Sequence, residues 1–228
     1  MRKMTNPSVD IKNSWNANAN QWTKAVREAL IPSRAAGTDQ AVAAAINQLH
    51  PESVIDVGCG EGWLVRRLAR ETGCIAAGAD GSEQLIASAK SAHPDGTYFV
   101  LDYGELISQP EKLRGPYDVA VCNFSLLDEA LVPILGALRQ NLSPTATLVI
   151  QTLHPWMAGS HAGYVDGWRT EEFTGLAGNW HSMPWFFRTL ETWFKDLETA
   201  GFAVKSCREP LCSDTLRPLS ILFLCNPV

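Results

Sequence analysis

A cluster of acids and glycines in the first half of the chain has the types and spacing to hold a small ligand. The stretch Val54-Ile55-Asp56-Val57-Gly58-Cys59-Gly60-Glu61-Gly62 ends an apolar run in an acid and follows it with three alternating glycines. Glycine carries no Cβ, so such a turn bends sharply and lets the main chain approach a ligand closely. Asp80 closes a second apolar run 18 residues past Gly62 and precedes Gly81-Ser82. That separation is close to the one at which α/β sites set an acid against ribose hydroxyls, and a carboxylate can accept both protons of a diol. The residues point to the binding of a nucleoside.

The kind of nucleoside follows from charge. A dinucleotide site spaces its glycines G-x-G-x-x-G and aims a helix N-terminus at a pyrophosphate. Here the spacing is G-x-G-x-G, and Glu61 stands where the helix begins. A carboxylate there suits the helix dipole but repels a diphosphate. S-adenosylmethionine carries a sulfonium and a zwitterionic amino-acid tail and no phosphate, so an acidic rim of Asp56 and Glu61 suits it. A glycine-rich turn of some other α/β domain is the plain alternative. The stretch resembles the first motif of the class I S-adenosylmethionine-dependent methyltransferases, D-x-G-x-G-x-G, matching it at Asp56, Gly58, Gly60 and Gly62. The resemblance runs over roughly residues 15–225.

The elements that must position these residues read as alternating strands and helices. Residues 54–57, 74–80, 97–101, 117–122 and 146–153 are apolar, strand-length runs, with helical segments between them. A helix over Thr189–Ala200, stopped by Gly201, then strands at Phe202–Arg208 and Leu219–Leu224, complete the series. The resemblance implies a Rossmann-like, seven-stranded, mostly parallel sheet with helices on both faces. It also implies a last, antiparallel strand inserted between the fifth and sixth. Asp102-Tyr103 would then hold adenine, Asp80 with Gly81 and Ser82 the ribose, and Gly58, Cys59 and Gly60 the cofactor backbone. The Asn123-Phe124 loop would flank the methionine tail and the methyl group. The [DN]-P-P-[YFW] tetrapeptide of amino-directed DNA and glutamine methyltransferases is absent.

Ahead of the sheet, residues 1–13 are polar and expected to be mobile, and Trp15, Ala19, Trp22, Val26 and Leu30 recur at helical spacing up to Pro32. Packing on the core is one reading of that stripe. The other, implied by the resemblance, is a lid helix that places Trp22 over the cofactor. Arg34 could fork onto the cofactor's carboxylate, or be a loop arginine. Thr38 is the expected N-cap of the next helix.

Residues 154–188 are too long for a plain connection and mix Trp156, Tyr164, Trp168, Phe173, Trp180, Trp185, Phe186 and Phe187 with glycines, without strand or helix periodicity. An aromatic-rich lobe covering the acceptor is expected there. His154, at the end of the fifth strand, is the first candidate for a proton acceptor, with His181 and His161 behind it. Tyr164 and Asp128 could orient a substrate, and Arg169, Glu171, Glu172 and Arg188 read as a solvated surface. The chain divides into N-terminal lid helices (1–50), a cofactor-binding core (51–153), the aromatic lobe (154–188) and a closing helix and strands (189–228).

Composition narrows the class. A net charge of −5 argues against a broad nucleic-acid surface. The apolar runs are too short to span a membrane, and no apolar segment follows the first residues to make a signal peptide. Six cysteines without a C-x-x-C pair fit neither a disulfide framework nor a zinc site, so a cytoplasmic protein with reduced thiols and no metal is expected. The expected function is transfer of a methyl group from S-adenosylmethionine, leaving S-adenosylhomocysteine, to a small, partly apolar acceptor by a monomer or homodimer. The rivals are a nicotinamide-dependent oxidoreductase, a non-catalytic S-adenosylmethionine-binding protein and a nucleic-acid methyltransferase.

Overall fold

A computed structural model describes residues 7–159 and 163–228. The strands are β1 (Ser53–Val57), β2 (Ile75–Asp80), β3 (Thr97–Val100), β4 (Tyr117–Asn123), β5 (Leu142–Thr152), β6 (Gly167–Glu171), β7 (Met183–Phe187), β8 (Phe202–Arg208) and β9 (Ile221–Pro227). The helices are α1 (Pro7–Arg27), α2 (Asp39–Asn47), α3 (Trp63–Thr72), α4 (Glu83–Ala92), α5 (Tyr103–Ser108), α6 (Leu131–Arg139), α7 (Pro155–Gly159) and α8 (Leu190–Thr199). Seven strands form one sheet in the order β3-β2-β1-β4-β5-β9-β8, with β9 antiparallel to both neighbours and the other adjacent pairs parallel. The chain thus has the Rossmann-like fold read from its sequence, closing strand included. Strand order reverses between β1 and β4, which is where an open α/β sheet leaves a crevice for a ligand.

Apolar side chains leave both faces of the central strands. Val54, Val119, Val121 and Val149 pack with α2 and α3, while Ile55, Ala120, Leu148 and Ile150 pack with α5, α6 and α8. Strands buried on both sides lose the alternation of a half-exposed sheet and become continuous apolar runs. That is why they were readable. Under α8, the fully buried Phe223 stacks on Trp193 at 5.9 Å between centroids and meets the edge of Phe194 at 5.7 Å.

Three local expectations need correction. First, α1 starts at Pro7, so residues 7–13 are helical rather than mobile. Proline suits a first helical turn, where its missing N–H would have no partner. The helix also stops at Arg27, leaving Leu30 beyond it. Second, Thr38 caps nothing: it is helical, ending a wide turn over Arg34–Thr38 that runs on into α2, and its hydroxyl has no partner. Third, the aromatic lobe has regular structure. β6 and β7 form an antiparallel hairpin that pairs Trp168 with Phe186 and Glu171 with Met183. The hairpin hangs on the core through Phe186 N–H, which donates to the Leu127 carbonyl at 2.8 Å.

Replacing Phe223 with Ala should destabilise the protein by about 3–5 kcal/mol, since the stacked Trp193 cannot fill the gap. Urea unfolding measures this, and a loss below about 1 kcal/mol would contradict the packing described.

Candidate active site

The carboxyl ends of β1, β2 and β4 are stitched together by backbone hydrogen bonds and one serine hydroxyl. Gly58 N–H and Cys59 N–H both donate to the Ala79 carbonyl, at 2.7 and 3.0 Å, and Ser125 Oγ donates to the Val57 carbonyl at 2.6 Å. Gly58 has φ +80°, and a Cβ there would lie 2.2 Å from the Ser125 Cβ. Only glycine fits. Asp80 braces the turn from the next strand: its Oδ2 accepts from Gly60 N–H at 2.9 Å and its Oδ1 from Ser82 N–H at 2.8 Å. Removal from water raises the Asp80 pKa, against the pull of those two donors.

Asp56 is the most unusual group in the site. It is 2% exposed, and its Oδ1 has no hydrogen-bond partner. Burial, with repulsion from Asp80 added and the attraction of Arg34 opposing, pushes its carboxyl up to about 8. A buried carboxyl without a donor is stable only protonated or beside a cation.

One cavity of about 1160 Å³ opens above this floor. It is larger than a pocket for a single small ligand needs, so it has room for two. Apart from Glu61 of the expected acidic rim, the residues expected to touch the cofactor border it: Trp22, Arg34, Asp56, Gly58, Cys59, Gly60, Asp80, Gly81, Ser82, Asp102, Tyr103, Asn123 and Phe124. Ser82 caps α4, accepting from Leu85 N–H, and Asp102 caps α5 in a reciprocal box with Glu105. Tyr103 Oη donates to the Ser125 carbonyl at 2.8 Å, and the side-chain amide of Gln151 donates to Asn123 Oδ1 at 3.1 Å. Phe124 is held at φ +54°, a strained conformation for a bulky residue. Arg34 gives its fork to Asp39, at 3.0 and 2.9 Å, and lies over the Trp63 ring at 4.4 Å, so its cation is already matched.

The helix α1 forms the roof and is tied to both halves of the cavity. Lys12 Nζ meets Asp102 at 2.7 Å, Asn16 Oδ1 accepts from Ser82 Oγ at 2.7 Å, and Trp22 Nε1 lies 3.4 Å from where a Gly60 Cβ would be. On the lobe side, Asn18 hydrogen-bonds both main-chain groups of His181, and Trp15 and Trp22 meet Phe173 and Trp180 edge to face.

Three expectations about side-chain direction do not hold. Glu61 does not border the cavity: its fully buried carboxylate is held by Arg66 at 2.7 Å and by Arg27 of α1 at 2.9 Å. The turn aims it under α3, so the acidic rim is carried without it. His154 and His181 do not border the cavity either. His154 lies between two wall residues, Leu153 and Pro155, but its Nε2 pairs with Glu209 Oε1 at 2.7 Å on the β8–β9 loop. His181 is exposed and enters the site only through its backbone, and His161 lies outside the described residues. Finally, Arg188 is no surface residue. It is 2% exposed, borders the cavity, and donates to Asp196 and to the carbonyls of Asp128 and Glu129. Its place after the aromatic run Trp185–Phe187 was the available signal: its guanidinium lies over the Phe186 ring, at 4.9 Å.

The cavity's charges now decide what it can hold. Asp39, Asp56, Asp80, Asp102, Asp128 and Glu171 border it, against Lys12, Arg34 and Arg188, each of which is paired with an acid. Such a wall repels a diphosphate and favours a cationic nucleoside. A nucleoside-binding α/β enzyme with an acidic floor is the class this defines. Over residues 26–206 the chain matches the family described as a methyltransferase domain, and it belongs to that family, within the class I S-adenosylmethionine-dependent methyltransferases; its methyl donor is S-adenosylmethionine. A malonyl-[acyl-carrier protein] O-methyltransferase of Halalkalibacterium halodurans is 30% identical over 111 residues, which is 46% of this chain and 40% of that relative. The magnesium protoporphyrin IX methyltransferase of Synechocystis PCC 6803, solved with bound S-adenosylmethionine, superposes with a TM-score of 0.65 over all of both chains at 15% identity. An S-adenosylmethionine-dependent methyltransferase of Mesorhizobium loti gives 0.58, over 83% of this chain and 100% of that one, at 24% identity.

The raised Asp56 pKa has a consequence for stability. A carboxyl raised on folding adds stability that is complete below its ordinary value of 3.8 and is lost as pH climbs through about 8. The ligand-free protein should therefore lose on the order of a few kcal/mol between about pH 5 and 8. Asp56→Asn should remove most of that slope. Urea titrations across the range measure it, and equal slopes in both proteins would contradict the assignment.

Proposed function

We propose that this enzyme methylates a small, partly apolar acceptor, bound between the glycine turn and the aromatic hairpin. The observation that carries this is one continuous cavity, whose floor is the motif of Asp56 to Gly60 and whose far wall is Phe173, Met183, Trp185, Phe186 and Phe187. The residues fit the donor: the buried Asp56 carboxyl, with its Oδ1 unpartnered, suits a cationic ammonium, and Gly58, Cys59 and Gly60 border the cavity beside it.

When bound, S-adenosylmethionine supplies a methyl group made electrophilic by a sulfonium. The chain's own work is to bind, align and exclude water. Asp80, fixed by two backbone donors, keeps a free lone pair on each oxygen for ribose hydroxyls. Asp102 and Tyr103 border the adenine end, and Asn123 with the strained Phe124 borders the tail and the transfer point. Trp22 covers the glycine turn, and α1 closes the roof over donor and acceptor together. The malonyl-[acyl-carrier protein] O-methyltransferase shares less than half its length with this chain, so its acceptor does not carry over.

A panel of small aromatic and aliphatic amines, alcohols and acids, run beside transfer RNA and duplex DNA, tests this reading. Formation of S-adenosylhomocysteine should be stimulated by a small molecule and not by nucleic acid. Stimulation by RNA alone, with salt-sensitive binding, would overturn it.

A further inference from the structure

We propose that the acceptor is an amine on a small apolar body, and that Asp128 is the carboxylate that receives its nitrogen. The proposal rests on the reading of this cavity as the methyl-transfer site. Asp128 follows the Asn123–Leu127 loop, beside the transfer point, and is 6% exposed. Its Oδ1 accepts from Ala130 N–H at 2.9 Å, and no described residue donates to Oδ2. The turn bearing it is rigid: Arg188 donates to the Asp128 and Glu129 carbonyls, at 2.5 and 2.9 Å, and Phe186 N–H holds Leu127.

The surroundings decide the ligand's charge. At this end the cavity carries Asp128 and Glu171, and Glu171 has its Oε1 on Phe173 N–H at 2.6 Å. The only cation bordering this end among the described residues is Arg188, whose guanidinium faces Asp196, Asp128 and Asp166 together. Two guanidinium groups stand near: Arg188 pairs with Asp196, and Arg169, behind the wall over the Phe187 ring at 3.5 Å, donates to the Ala158 and Gly163 carbonyls. Among the described residues neither forms a salt bridge with Asp128 or Glu171. Around the acids stand Phe173, Met183, Trp185 and Phe187, which offer no countercharge. Carboxylates in an apolar wall favour a ligand that brings its own cation. The competing feature is Arg188 Nη1, buried without a partner, which would suit a carboxylate ligand instead. The excess of acids beside it weighs against that.

The chemistry balances. A protonated amine first yields one N–H proton through Asp128 to solvent, which leaves Asp128 a carboxylate. The neutral nitrogen then gives its lone pair to the methyl carbon, while the carbon–sulfur bond breaks and leaves its electron pair on sulfur. The product is a methylated ammonium that keeps the positive charge, so Asp128 matches substrate and product alike.

Calorimetry on protein saturated with S-adenosylhomocysteine tests this with three probes of one shape: phenethylamine, phenethyl alcohol and hydrocinnamate. Phenethylamine should bind about 10–100-fold tighter than the other two. Asp128→Asn, which keeps an oxygen for Ala130 N–H, should erase that preference while leaving S-adenosylhomocysteine affinity unchanged. Glu171→Gln should weaken amine binding by a smaller factor and guards against misfolding of the first variant. Equal binding of the probes, no amine binding, tighter hydrocinnamate binding, or an unaltered preference in both variants would each overturn the amine. Failure of S-adenosylhomocysteine itself to bind would instead bring down the reading on which the proposal stands.

Discussion

The closeness of three strand ends sets the terms for the rest of the molecule. Where β1, β2 and the loop after β4 converge, Gly58 leaves no room for even a methyl group against Ser125. The backbone there is spent on holding itself together, through the shared Ala79 carbonyl and the Ser125–Val57 bond. The polar side chains that border the cavity at the ends of β1 and β2 are Asp56 and Asp80. Asp56 and Asp80 stand on neighbouring strands with no salt bridge to either among the described residues, which makes the floor a place for positive charge.

The helix α1 answers that geometry from above. It spends its charged residues on the floor's periphery, Lys12 on Asp102 and Arg27 on Glu61, and its tryptophans on the aromatic hairpin. One element thus touches the glycine turn, Asp102 and the aromatic hairpin. Any shift of α1 changes both halves of the cavity at once, so the two halves are mechanically joined. Arg188 plays the matching part below, clamping the turn after β4 to α8.

Much of the fold was legible because its signals are local. Apolar runs ending in acids mark strands buried on both faces, and glycines mark the turn. Direction was not legible. Glu61 and His154 were weighed by residue type and by neighbours in sequence, yet Glu61 turns under α3 to two arginines and His154 turns to Glu209. Partners far apart in the chain decide such choices. The β6–β7 hairpin escaped notice for a different reason: Met183-Pro184-Trp185-Phe186-Phe187 is apolar on both faces, so period-two alternation is missing. The burial of Arg188 is not legible because a charged residue is usually exposed, and its three oxygen partners make that burial tolerable.

The central claim is that an acidic floor selects a cationic nucleoside over a dinucleotide. Calorimetric titration of the purified protein with S-adenosylmethionine, S-adenosylhomocysteine and NADH tests it most directly. Binding of the first two with dissociation constants on the order of micromolar, and no heat from NADH, is the expected result. Binding of NADH alone would contradict the account, because a diphosphate would then be accepted by a wall whose described acids outnumber its cations.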